Sequence, residues 1–164
     1  MLSQECDMEN LSVCYPWWLI EKWPAQVFSN ITFLDCDNTS SQSLQDQGYT
    51  VICETINEHN CQYDLVLEMR SQLKPNEIMK LVKPGGFIFS EANYGVPNAL
   101  EKSKDFVLVK NLTKNSVTPP KNLSVWPFWN WSTDFFLYKR LLTGQVKKAT
   151  ILQRLSKVLQ RHNN

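Results

Sequence analysis

Apolar positions along the chain fall into short runs whose period changes from segment to segment. Residues 31–35 (ITFLD), 49–54 (YTVICE), 63–67 (YDLVL), 86–90 (GFIFS), 105–109 (DFVLV) and 134–139 (DFFLYK) concentrate Ile, Val, Leu, Phe and Tyr over the length of a strand. The first four are joined by helical or crossover-length segments, which predicts parallel pairing, and the last two by a hairpin-like return. The most informative stretch is Leu81-Val82-Lys83-Pro84-Gly85-Gly86 running into Phe87-Ile88-Phe89. Pro84 cannot extend a helix, paired glycines supply positive φ for a reversal, and the apolar run suits a strand covered on both faces. With 63–67 upstream, it forms a βαβ unit.

The remaining segments read as helices or connections. Residues 40–47 form a helix, and 16–28 a short aromatic-rich one broken at Pro24, with Trp17, Trp18, Leu19, Ile20 and Trp23 on most of its faces. Residues 1–14 show no usable periodicity and read as a leader. The segment 55–62 is short and polar, so a compact sheet of six strands is expected. Residues 110–133 make a long connection with Trp126, Phe128, Trp129 and Trp131, too many aromatics to leave in water. From 145 to 161, Ile151, Leu152, Leu155, Val158 and Leu159 recur at helical spacing.

With 164 residues the chain is expected to form a single domain, 1–164, with a core of its own. No apolar stretch reaches the length of a membrane span, and MLSQECDMEN is acidic where a signal peptide would be basic, so a cytoplasmic setting is expected. Cys6, Cys14, Cys36, Cys53 and Cys61 are odd in number and lack CxxC spacing, and read as reduced core thiols. His59 and His162 have no Cys or carboxylate at ligand spacing, so no metal site is expected; Asp35 with Asp37 is a pair of the kind that occurs often by chance. The net charge of +1 hides an asymmetry: ten acids and one base in residues 1–64, seven bases and no acid in 139–164. Lys147, Lys148, Arg154, Lys157 and Arg161 therefore offer a basic helix, 145–164, to an acidic protein, RNA or an anionic surface, or balance the acidic front of the same molecule.

The pair YDLVLEM and LVKPGGFIFSE resembles the late-sheet signature of class I S-adenosylmethionine-dependent methyltransferases. Set against that family, 31–35 is similar to its first strand, 40–47 to its first helix, 49–54 to its second strand, and 105–109 with 134–139 to its closing hairpin. The resemblance implies a three-layer Rossmann-like α/β fold with a mostly parallel sheet and one antiparallel strand at its edge. It also implies S-adenosylmethionine as cofactor, bound over a glycine-rich turn after the first strand. Here Leu34-Asp35-Cys36-Asp37-Asn38-Thr39-Ser40-Ser41 stands in that place, with Asp37, Thr39 and Ser41 where the glycines would be. Asp35, Asp37, Asn38 and Thr39 are the implied cofactor turn, Glu54 the acid that meets the ribose, and Glu68 and Met69 the pocket lining. Asn93, Tyr94, Trp129 and Trp131 are the acceptor-side candidates.

Three functions are compatible with these residues. One is a methyltransferase with a glycine-poor turn, the second a methyltransferase-like fold serving as a binding or scaffolding protein, and the third a membrane-surface protein that uses its Trp-rich segments.

Overall fold

The computed structural model of the protein describes residues 10–16, 23–35, 37–56, 58–69, 71, 73–92, 95–112 and 134–144. Among them seven strands form one sheet: β1 (Val13–Pro16), β2 (Ile31–Leu34), β3 (Val51–Ile52), β4 (Tyr63–Glu68), β5 (Val82–Glu91), β6 (Phe106–Leu112) and β7 (Phe135–Arg140). Their order is β3-β2-β1-β4-β5-β7-β6. β1 to β5 pair in parallel, and β7 runs antiparallel to both β5 and β6.

The sheet is mixed and mostly parallel, with its antiparallel pairing at the β5-β7-β6 edge, as expected, and with one correction in the number of strands. Among the described residues the strands number seven because 13–16, which begins within the expected leader 1–14, is β1. It pairs with β2 from Val13↔Ile31 to Pro16↔Leu34 and with β4 at Val13↔Leu65 and Cys14↔Val66. All four of its residues are buried. A strand that short and covered on both faces has no polar alternation to betray it.

Successive strand residues point to opposite faces and build two apolar layers. One holds Val13, Tyr15, Phe33, Leu65, Leu67 and Phe87 under Phe28 and Leu44. The other holds Cys14, Leu34, Val66, Ile88 and Tyr138 under Ile78, Val96 and Leu100. Thus α2 (Asn38–Gln45) covers the first face while α3 (Pro75–Lys80) and α4 (Val96–Lys102) cover the second. Of the expected helix 16–28, α1 (Trp23–Val27) is described; Pro16 instead ends β1. Cys14 is a core thiol, whereas Cys53 and Cys61 are exposed, which corrects the expectation of core positions for those two.

Two local devices set the register. The Pro-Gly-Gly segment does not close a turn ahead of β5 but lies within it, as an irregularity between the pairs Tyr63↔Val82 and Leu65↔Phe87. Gly85 has φ +83, and a Cβ on Gly86 would stand 2.9 Å from the carbonyl oxygen of Asp64 and 3.0 Å from that of Lys83. Only glycine lets β5 approach β4 this closely. At the amino edge Asp64 clamps three strands: its Oδ2 accepts from Ser12 N (3.0 Å) and Ser12 Oγ (2.6 Å), and Lys83 Nζ donates to both of its oxygens at 3.1 Å. Burial pushes the Asp64 carboxyl upward, but the Ser12 and Lys83 contacts outweigh it and hold the group below its ordinary 3.8.

Candidate ligand site at the carboxyl edge of the sheet

In an open parallel sheet, ligands bind beyond the carboxyl ends of the strands, where neighbouring crossovers diverge. That edge carries Asp35 after β2, Glu54 after β3, Glu68 at the end of β4, and Ser90 and Glu91 at the end of β5. Asp35 and Glu68 are separated by β1, a spacing of about 10 Å across two strand intervals.

Asp35 is 4% exposed, and its backbone N–H continues the ladder to Ile52 at 3.1 Å. Its Oδ1 accepts from the backbone N–H of Asp37 at 2.9 Å. Asp37 in turn is the N-cap of α2: it is extended (φ −87, ψ 111), and its Oδ1 accepts from Thr39 N at 2.8 Å and Ser40 N at 3.3 Å. An Asp at this position satisfies two of the donors that a helix start leaves open.

This geometry corrects the alignment of 34–41 with a glycine-rich turn. That alignment takes 31–35 as the first strand, whereas the topology makes it the second. Asp37, Thr39 and Ser41 occupy a cap and a helix, where no positive φ is required. The stretch that does follow the first strand, 17–22 (WWLIEK), contains no glycine, and the chain has none before Gly48. By the same count Glu54 follows the third strand, and the acid after the second is Asp35.

Glu68 is fully buried. Its Oε1 accepts from Ser71 Oγ at 3.1 Å and its Oε2 from Ser90 Oγ at 2.5 Å; Ser90 is its register partner on β5. Burial pushes its carboxyl above the usual range, the two serine donors pull it back, and the nearby Glu91, itself 2% exposed, adds to the rise. Met69 is 3% exposed and belongs to the core layer containing Leu67 and Phe87.

Glu54 joins a cluster whose other members the sequence reading missed. Its Oε1 lies 2.6 Å from Nδ1 of His59, whose Nε2 lies 3.1 Å from the hydroxyl of Tyr63. The His59 and Tyr63 rings stack at 5.8 Å with an angle of 7°. His59 looked like a polar-loop residue, yet its side chain is 0% exposed. The signal available was its place four residues before an aromatic that opens a strand. Burial raises the Tyr63 hydroxyl well above its ordinary range.

Asn93, Tyr94, Trp129, Trp131, the Asn38 side chain and the basic segment with Lys147, Lys148, Arg154, Lys157 and Arg161 lie outside the described residues. Among the described residues no group of three or more His, Cys, Asp or Glu could hold a metal ion, and no helix is long and apolar enough to cross a membrane.

No protein-family model and no curated protein sequence matches the chain. Its fold, however, is that of methyltransferases. The magnesium protoporphyrin IX methyltransferase ChlM from Synechocystis PCC 6803, solved with bound S-adenosylmethionine, superposes with a TM-score of 0.56 at 11% identity, over 85% of this chain and 74% of that one. The N-methyltransferase NodS from Bradyrhizobium japonicum WM9, in complex with S-adenosylhomocysteine, superposes with a TM-score of 0.51 at 12% identity, over 80% of this chain and 78% of that one. The chain therefore has a Rossmann-like, class I methyltransferase-like fold.

Proposed function

We propose that the protein is an S-adenosylmethionine-dependent methyltransferase of unassigned acceptor, with the cofactor at the carboxyl edge and Asp35 accepting from its ribose hydroxyls. The observation that carries this reading is the position of Asp35, a 4% exposed acid directly after the second strand of a β3-β2-β1-β4-β5-β7-β6 sheet. The resemblance assigns ribose recognition to the acid at the end of the second strand, so the role passes from Glu54 to Asp35. Hydroxyls donating to a fixed carboxylate make the charge-assisted bonds that orient a nucleoside. The cofactor would supply an electrophilic methyl group. This chain's part is to hold the adenosyl end and to shape the edge between β2 and β4.

One observation favours the second reading, a binding protein without transfer chemistry. With no glycine in 17–22, the backbone after β1 lacks the residue type that permits close approach to the methionine end of the cofactor. One experiment separates the two. The six Trp report a fluorescence titration with S-adenosylmethionine, and Trp17 and Trp18 directly follow the last residue of β1. Saturable binding that Asp35→Ala weakens by about 1 to 3 kcal/mol is the expected result. No binding by the wild-type protein would leave the scaffolding reading in its place.

A further inference from the structure

The acid at the end of β2 is held from two sides. Along the main chain, β2 is tied to β3 by Phe33 N donating to the carbonyl of Thr50 at 2.9 Å and Asp35 N donating to that of Ile52 at 3.1 Å. At the side chain, Asp35 Oδ1 accepts from the backbone N–H of Asp37 at 2.9 Å. The terminal torsion of an Asp is otherwise broad, so this contact sets the plane of the whole carboxylate. The N–H can reach Oδ1 only while the Asp37 backbone stays extended (φ −87, ψ 111), and the side chain of Asp37 keeps it so by accepting from Thr39 N at 2.8 Å and Ser40 N at 3.3 Å. The helix capped in this way is a fixed reference. Leu44, 3% exposed, seats α2 in the first apolar layer, and its carbonyl accepts from Tyr49 N at 3.2 Å where the chain turns back toward β3. A line of contacts therefore runs from the packed helix through Asp37 to a carboxylate at the carboxyl edge.

We propose that Asp37 is a positioning residue: by capping α2 it holds its own N–H on Asp35 and fixes that carboxylate in the orientation that receives the ribose hydroxyls of the ligand. The proposal rests on the nucleoside site described above. Asp37 acts through Asp35 alone, since its side chain is folded back onto the start of the helix. A carboxylate that is already fixed binds two hydroxyls without the loss of freedom that ordering it at the moment of binding would cost. Without the cap, the N–H groups of Thr39 and Ser40 lose their acceptor, the first turn of α2 frays, and the N–H of residue 37 is no longer held against Asp35. Asn caps a helix about as well as Asp, whereas Ala does not. The two substitutions therefore separate the cap from the charge.

The test is a titration of the full-length protein and its variants with S-adenosylhomocysteine, followed by tryptophan fluorescence at a temperature where each is folded. Asp37→Asn is expected to bind within about twofold of the wild type and Asp37→Ala about fivefold or more weakly, the factor to which the usual contribution of one cap corresponds. In the background of Asp35→Ala, which weakens binding by itself, Asp37→Ala should cost nothing further, because its route to the ligand has been removed. A cap that serves the fold alone would lower the unfolding midpoint of Asp37→Ala and leave its affinity at the wild-type value, and that result overturns the proposal. An equal loss in Asp37→Asn and Asp37→Ala overturns it too, as does the same loss with and without Asp35. If the wild type binds no S-adenosylhomocysteine, the nucleoside site itself is wrong. The clamp is then judged by amide hydrogen exchange: the N–H of residue 37 must exchange slowly in the wild type and in Asp37→Asn and become fast in Asp35→Ala. Exchange that Asp35→Ala leaves unchanged overturns the positioning role independently of the ligand.

Discussion

Replacing Glu68 by Gln tests whether a buried acid at the carboxyl edge carries its proton in the folded state. The side chain is 0% exposed, and its carboxyl is raised above its ordinary 4.5 by burial first and by Glu91 in addition, against the pull of Ser90 and Ser71. A raised folded-state value means that the native protein holds this proton over a pH interval in which the unfolded chain has released it. Stability from this group is therefore fully present below 4.5 and is lost as pH climbs through the folded value. The slope is at most about 1.4 kcal/mol per pH unit, the full difference of one bound proton. Glu68→Gln keeps the volume and, like the protonated carboxyl, pairs one acceptor with one donor, so it stands in for the neutral acid at every pH. The variant should thus match the wild type near pH 4.5 and become the more stable protein as pH rises toward 8. Urea unfolding followed by circular dichroism at each pH measures both curves, and the titrations of all other groups cancel in their difference. Stability curves that stay parallel from pH 5 to 8 would refute the assignment. Glu91→Gln supplies a second check, because removing its like charge should flatten the wild-type slope.

Three further outcomes follow from the packing. Gly86→Ala forces a Cβ within 2.9 Å of a strand carbonyl and should cost roughly 1 to 3 kcal/mol of unfolding free energy, the scale of overpacking; an unchanged urea midpoint would show that β5 can move away from β4. Ser41, 2% exposed in α2, has a hydroxyl without a hydrogen-bond partner among the described residues, so Ser41→Ala should raise stability by about 1 kcal/mol through relief of a buried polar atom and better helix propensity, measured as a higher midpoint of unfolding. Asp64→Asn should weaken the amino-edge clamp at neutral pH. Because the Asp64 value is depressed below 3.8, its stabilisation exists above that pH and is lost as pH falls through the folded value, so wild type and variant should converge in acid unfolding experiments.

Local chemistry made much of the molecule legible. The runs that became β4, β5, β6 and β7 announce themselves because each is long enough to show its apolar character, and Pro84-Gly85-Gly86 marks a backbone irregularity by residue type alone. β1 stayed hidden because its four buried residues leave no alternation to read, and that omission moved every early strand by one place. The shift carries into the site: the stretch aligned with a glycine-rich turn holds the helix cap at Asp37, and the acid after the second strand is Asp35, with Glu54 after the third. His59 escaped for a different reason, since a histidine in a polar loop becomes a buried ring only when Tyr63 and Glu54 close on it.

The sequence by itself determined the α/β class, the apolar strands and the absence of glycine before residue 48, because composition and short-range periodicity act within a few residues of each position. The tertiary structure decided the strand order, the insertion of β1 between β2 and β4, and with them which acids share the carboxyl edge. Strand order is settled by the burial of both sheet faces under helices contributed from distant parts of the chain, a balance that no local window contains.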